Sequence, residues 1–260
     1  MLFMEETLQA RVHGDPGLPA TLVYLPGMHG DWTLISGFRR AVVGKVRFIE
    51  TTYPRTLTWS LDEYAAAVEG ALADDGIESG WLLGESFGSQ VLWAIIARKR
   101  FKAVGIILAG GFVKHPLRGA IRWAERLFGR RFLNLICRVI FGYSKIARFR
   151  FRKSPETAAT LDEFLERRTP LDIQAAQYRL HLVAHNDPRQ TAKSVAAPVF
   201  ALAGILDPIV PWLPVKRWLV KNCNGLRGCK IIRADHNVLA TAPLESARQI
   251  LKWMNETDSH

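Results

Sequence analysis

Four short apolar runs decide what this chain can fold into. Residues 20–25 (ATLVYL), 80–84 (GWLLG), 103–109 (AVGIILA) and 198–203 (PVFALA) are almost continuously apolar, and each is closed by glycine or proline. A strand reads this way when it is buried on both faces, because neither side-chain direction meets water. Helix-length stretches lie between the runs, which predicts a mostly parallel central sheet flanked by helices. Residues 46–51 (VRFIET) alternate and add a strand that ends before Tyr53-Pro54. Ser60 and Glu63 have the spacing of a capping box, opening a helix that runs to about Ala73 and stops at Asp75-Gly76. A second helix is predicted over 87–99, and residues 6–13 are read as an antiparallel edge strand.

The alternation breaks at Gly111. From there to about 195 the pattern is helical, with no strand. It resumes with the run at 198–203, a helix near 211–221, a short strand at 229–233 (CKIIR) and a last helix near 243–255. The expected organisation is an α/β core formed by 1–110 and 196–260, interrupted by a helical insertion over 111–195. A chain of 260 residues buries enough surface to need no disulfide or metal staple. Its three cysteines, Cys137, Cys223 and Cys229, form no metal-binding spacing and are read as reduced thiols. No run approaches the 18 apolar residues of a membrane-spanning helix. The opening MLFMEETLQ is acidic where a signal peptide is basic, so the expected location is cytoplasmic.

Gly84-Glu85-Ser86-Phe87-Gly88 is a G-x-S-x-G sequence set between a predicted strand and a predicted helix. That context suits a nucleophilic serine on a tight turn, with glycines where a Cβ would collide with neighbouring backbone. Strand 20–25 ends in Pro26-Gly27-Met28-His29-Gly30-Asp31, a small-residue loop able to turn amides toward a neighbouring strand end. Acyl chemistry needs two such donors for the oxyanion, and the amides of Met28 and Phe87 are the candidates. Asp207 follows the strand at 198–203, and His236 follows the strand at 229–233. Both therefore stand at the sheet edge that carries Ser86. Ser86, Asp207 and His236 are read as nucleophile, orienting acid and general base. Asp235 is the rival acid. Gly27 and His29 are placed as substrate contacts, and Trp32 and Trp212 as pocket residues.

These residues resemble the α/β-hydrolase fold family. The likeness rests on Leu25-Pro26-Gly27-Met28-His29-Gly30, on Tyr53-Pro54 and on Gly84-Glu85-Ser86-Phe87, and it covers about 20–110 and 198–255. It is greatest to a serine esterase- or lysophospholipase-like subgroup that includes the hydrolase part of plant phytyl ester synthases. Two positions depart from the pattern: His29 stands where that loop often has Asp, and Pro26 where the wider family has His. The resemblance implies an α/β-hydrolase fold with a helical lid insertion, and a serine hydrolase cleaving a carboxylic ester or thioester with an acyl chain, without metal or organic cofactor. An acyltransferase using the same three residues, or a hydrolase-fold binding protein without turnover, remains the alternative.

The net charge of +11 is local. Residues 114–153 hold 12 Lys and Arg against one acid, Glu125, which leaves 23 residues of each sign elsewhere. Within 118–141, Trp123, Leu127, Leu133, Ile136 and Ile140 keep helical spacing, with Arg122, Arg126, Arg130 and Arg138 between them; Lys145, Arg148, Arg150, Arg152 and Lys153 follow. A basic amphipathic helix of this kind suits an anionic membrane surface, an anionic substrate, or simply a basic face. No nucleic-acid-binding motif is present, and no nucleic-acid partner is expected. His181 and His185 have i, i+4 spacing, but no third metal ligand suggests itself in the sequence.

Overall fold

Seven strands form one sheet: β1 (Gln9–His13), β2 (Thr21–Leu25), β3 (Arg47–Thr52), β4 (Ser79–Glu85), β5 (Lys102–Ala109), β6 (Val199–Gly204) and β7 (Leu226–Ile232). The computed structural model describes residues 7–152 and 154–258. The opening residues through Glu6, together with Lys153 and His260, lie outside that description. The spatial order is β1-β3-β2-β4-β5-β6-β7. Only β1 is antiparallel, pairing Gln9–His13 with β3 as an edge. The other pairs are parallel, and their register aligns Leu25, Gly84, Leu108 and Ala201 across four strands. The carboxyl ends of the central strands therefore stand level.

Helices cover both faces. Leu61–Asp74, Gly88–Arg98 and Trp212–Asn222 pack Val68, Leu72, Val91, Leu92 and Leu219 on one side. Ser36–Val42 and Pro243–Asp258 pack Phe38, Val42, Ile250 and Trp253 on the other. In chain order the helices are α1 (Ser36–Val42), α2 (Leu61–Asp74), α3 (Gly88–Arg98), α4 (Arg118–Phe128), α5 (Arg130–Arg150), α6 (Pro155–Glu166), α7 (Pro170–His185), α8 (Arg189–Ser194), α9 (Trp212–Asn222), α10 (Val238–Thr241) and α11 (Pro243–Asp258). The capping box at α2 is present, with the Ser60 side chain and the Glu63 side chain each accepting the other's backbone amide.

Five helices, α4 to α8, connect β5 to β6. They have a small core of their own, in which Leu133, Cys137 and Phe141 of α5 meet Leu161, Phe164, Ala176 and Leu180. The helical spacing expected through 118–141 does not belong to one helix. Gly129, at φ 69° and ψ 179°, breaks it between α4 and α5. Trp123 and Leu127 consequently face outward while Leu133 is fully buried. The strand expected at 229–233 begins earlier, at Leu226, and the short helices α1 and α10 had no counterpart in the sequence reading. The three cysteines are unpaired.

Candidate active site

The sheet places β3 on one side of β2 and β4 on the other. Ligands of open α/β sheets bind in the crevice outside the strand ends at such a reversal. Here β4 ends at Glu85 and α3 begins at Gly88, so only Ser86 and Phe87 make the turn. Ser86 has φ 49°, a left-handed conformation uncommon outside glycine. The flanking glycines are steric requirements. A Cβ on Gly88 would lie 2.1 Å from the Leu25 carbonyl oxygen, and one on Gly84 would lie 2.9 Å from the Ser89 backbone.

Asp207 and His236 come from the loops after β6 and β7, which are neighbours in the sheet. Asp207 Oδ1 accepts the amides of Ile209 and Val210 at 2.8 and 2.9 Å, which fixes the carboxylate plane. Its Oδ2 accepts the His236 Nδ1–H at 2.8 Å. That tautomer leaves Nε2 of His236 to accept the Ser86 hydroxyl, also at 2.8 Å. Burial opposes charge on His236, but the charge and hydrogen bond of Asp207, with Glu85 and Asp235 nearby, outweigh it and raise its pKa above 6.5. The imidazole is thus disposed to take a proton from Ser86. The neighbouring Asp235 is turned away from the ring: it accepts the His236 backbone amide and, at 2.9 Å, the hydroxyl of Tyr143 from α5.

The loop after β2 runs against this turn. A Cβ on Gly27 would lie 3.5 Å from that of Ser86. Among the described residues the amides of Met28 and Phe87 have no intramolecular acceptor. Arg179 of α7 holds the loop from the other side. It is 1% exposed and donates to the carbonyls of Met28 at 2.9 Å and Pro54 at 2.8 Å. His29 is buried, and burial pushes its pKa down to about 4, so it stays neutral. It lines a narrow recess beside Ser86 and also a polar cavity that Arg11, Arg168 and Arg179 share.

Met28, Ser86 and Phe87 open onto a cavity of about 440 Å³. Its walls are almost wholly apolar, with Phe112 and Ile209 near the serine and Ile121, Ile136 and Val183 from α4, α5 and α7. Neither tryptophan expected in the pocket lines the Ser86 cavity, although Trp32 lines the polar cavity beside His29. Trp32 packs with Tyr24 and Phe38 in the core, under the Arg11 guanidinium at 3.9 Å. Trp212, the first residue of α9, lines a small recess beside Asp207. His115, which stands in no sequence motif, also lines the Ser86 cavity. Burial and the charge of His236 push His115 down to about 4, and its Nδ1 accepts the Leu117 amide. Arg179 and Tyr143 stand in no motif either, and their partners lie 151 and 92 residues away. No local pattern signals contacts at that range. A residue that the sequence does not place beside His181 and His185 is brought there by the fold. Glu125 of α4 lies 2.6 Å from His181 Nδ1, and one donor atom from each of the three residues falls within 4.8 Å of the others. The trio has the ligand types of a divalent-metal site, while the Glu125–His181 contact by itself ties α4 to α7.

No protein-family model and no curated protein matches this sequence. Solved structures do resemble it. An esterase from Thermogutta terrifontis aligns with a TM-score of 0.73 at 20% identity, over 96% of this chain and 93% of that one. A hydrolase from Pseudomonas aeruginosa gives 0.76 at 13% identity, over 95% and 94%. An enol-lactonase from Burkholderia xenovorans gives 0.72 at 15% identity, over 97% and 96%. The fold is that of the α/β hydrolases. Many reactions share a fold of this kind, so chemistry has to be argued from the site.

Proposed function

We propose that this protein is a serine hydrolase that cleaves a carboxylic ester or thioester carrying an acyl chain. The observation that carries the reading is the unbroken hydrogen-bonded line from Ser86 through His236 to Asp207, with 2.8 Å at each step. In this reading Ser86 Oγ attacks the acyl carbon while His236 Nε2 takes its proton. Asp207 stabilises the resulting imidazolium, and the amides of Met28 and Phe87 receive the oxyanion. The imidazolium then protonates the leaving alcohol or thiol, and an acyl-enzyme remains on Ser86. Water attacks it as His236 takes a proton, and collapse frees the acid and returns the proton to Ser86.

The apolar cavity beside Ser86 supports an acyl group rather than a polar one. The loop and turn sequences that resemble the hydrolase part of phytyl ester synthases point the same way. We read the core as 1–110 with 196–260, and 111–195 as the lid over the cavity. The test is intact mass after fluorophosphonate treatment, with Ser86→Ala as control, followed by p-nitrophenyl esters from C2 to C16. A Ser86-dependent adduct is expected, with turnover favouring medium acyl chains over acetate. Folded protein that forms no adduct would overturn the reading in favour of a binding protein. Ester alcoholysis exceeding hydrolysis when an alcohol is added would assign the acyltransfer variant.

A further inference from the structure

The helices that roof the Ser86 cavity carry a second apolar face, and it is turned to solvent. On α5, Leu135, Val139, Ile146 and Phe149 are 55 to 66% exposed. With Gly142 between them they recur every three or four residues, a single stripe along the helix. The opposite side of α5 is satisfied, because Leu133, Cys137, Phe141 and Ala147 are buried in the inter-helix core. On α4 no residue is fully buried, and Trp123, Leu127 and Phe128 are more than half exposed. Isolated exposed apolar residues are ordinary, but an aligned series of them along one helix, with more on the helix before it, marks an interaction site.

The chemistry of the partner is indicated by charge. Arg122, Arg126, Arg138 and Lys145 are exposed on these same helices. No carboxylate pairs with any of them among the described residues. Two further cations of α5 have acidic partners: Arg148 pairs with Asp162, and Arg150 lies 3.8 Å from Asp235. The stripe is also continuous with the cavity. Val139 belongs to both, and Ala120, exposed on α4, is another wall residue. No helix among the described residues is long and apolar enough to cross a membrane.

We propose that the α4–α5 face docks on the surface of an anionic lipid bilayer. Trp123, Leu127 and Phe149 enter the headgroup boundary, and the unpaired arginines and Lys145 lie against the phosphates. On the ester-hydrolase reading, a lipid acyl chain then passes between α4 and α5 into the cavity without crossing water.

Vesicle flotation tests the surface separately from the chemistry if the Ser86→Ala protein is used. Phosphatidylcholine vesicles with and without 30% phosphatidylglycerol serve as the probe, at low and high salt. Flotation is expected only with the anionic lipid, weakened by salt, accompanied by a blue shift of tryptophan emission. Trp123→Ser with Phe149→Ser changes only exposed side chains and is expected to weaken binding at least tenfold with an unchanged melting temperature. Arg122→Glu with Arg126→Glu is expected to do the same. No flotation with anionic vesicles, or flotation insensitive to both variants, would overturn the proposal. So would a dimer in solution that Trp123→Ser with Phe149→Ser dissolves, since the face would then belong to a second copy. Vesicle binding by a protein whose Ser86 fails to react with fluorophosphonate would leave the surface standing and remove the hydrolase.

Discussion

Glu85, one position before the serine, is a carboxyl group in a fully buried setting. The Tyr24 hydroxyl donates to its Oε2 at 2.6 Å, while Oε1 has no partner. Burial pushes its pKa up to about 7, against the opposing pull of Tyr24 and His236. The native state therefore holds a proton between about pH 4.5 and 7 that the unfolded chain has released. Stability falls as pH rises through that window, by on the order of 3 kcal/mol. Glu85→Gln is expected to remove this slope in urea titrations run from pH 4.5 to 8. It should leave the part of the decline above 6.5 that Asp207 produces by raising the pKa of His236. A variant that keeps the wild-type slope below pH 6.5 would count against Glu85 as its source. If His236 acts as the proposed general base, the same raised pKa places the acid limb of kcat/KM above pH 6.5, because the ring must be neutral to take a proton. Asp207→Asn is expected to lower kcat by roughly 10³ to 10⁴ and to move that limb toward lower pH, read from pH–rate profiles.

At the scale of elements, Arg179 shows what α7 does for a loop it never adjoins in sequence. Its guanidinium occupies the space behind Gly30, where a Cβ would lie 2.3 Å from Nη1. Arg179→Met leaves the carbonyls of Met28 and Pro54 without their donor. The expected loss is about 1–3 kcal/mol of stability per unsatisfied group. Loss of the loop's position should also cost kcat about tenfold, with KM for a p-nitrophenyl ester little changed. A merely structural role would lower the melting temperature and spare kcat.

The strands were legible in the sequence because burial on both faces leaves a continuous apolar run, as at 105–109. The serine turn was legible because steric crowding demands glycine at 84 and 88. Ser60 and Glu63 announced α2 through a local hydrogen-bonded pair. What stayed hidden has equally physical causes. The first turn after Trp32 is a 3-10 helix, and α1 is short and carries Gly37, a poor helix former, in its first turn, so the segment reads as loop. One glycine within a helical pattern is tolerated, so the break at Gly129 is read through. Arg179 and Glu125 acquire their roles only once α4, α7 and the β2 loop are brought together in space.

Across the whole molecule, order is distributed unevenly. Residues 80–85 of β4 and 105–109 of β5 are all buried, whereas α4 has no buried residue. Hydrogen exchange is expected to follow that contrast. Amides of β4 and β5 should exchange only through global unfolding, and those of α4 through local opening many orders of magnitude faster. Equal protection of α4 and β5 in mass-resolved exchange would contradict it.

Strands β5 and β6 lie side by side and point the same way. No tight turn can join such a pair, so the chain must leave the sheet there and travel its length before re-entering. The detour is obligatory, but its itinerary is free. Its two ends are pinned by neighbouring strands, and Ser86, Asp207 and His236 all stand outside it. A replacement of different length or shape could be spliced between Gly111 and Val199 while those three groups kept their mounting. Arg179, which holds the Met28 loop, would leave with the old segment, so any replacement would have to bring its own donor to that loop.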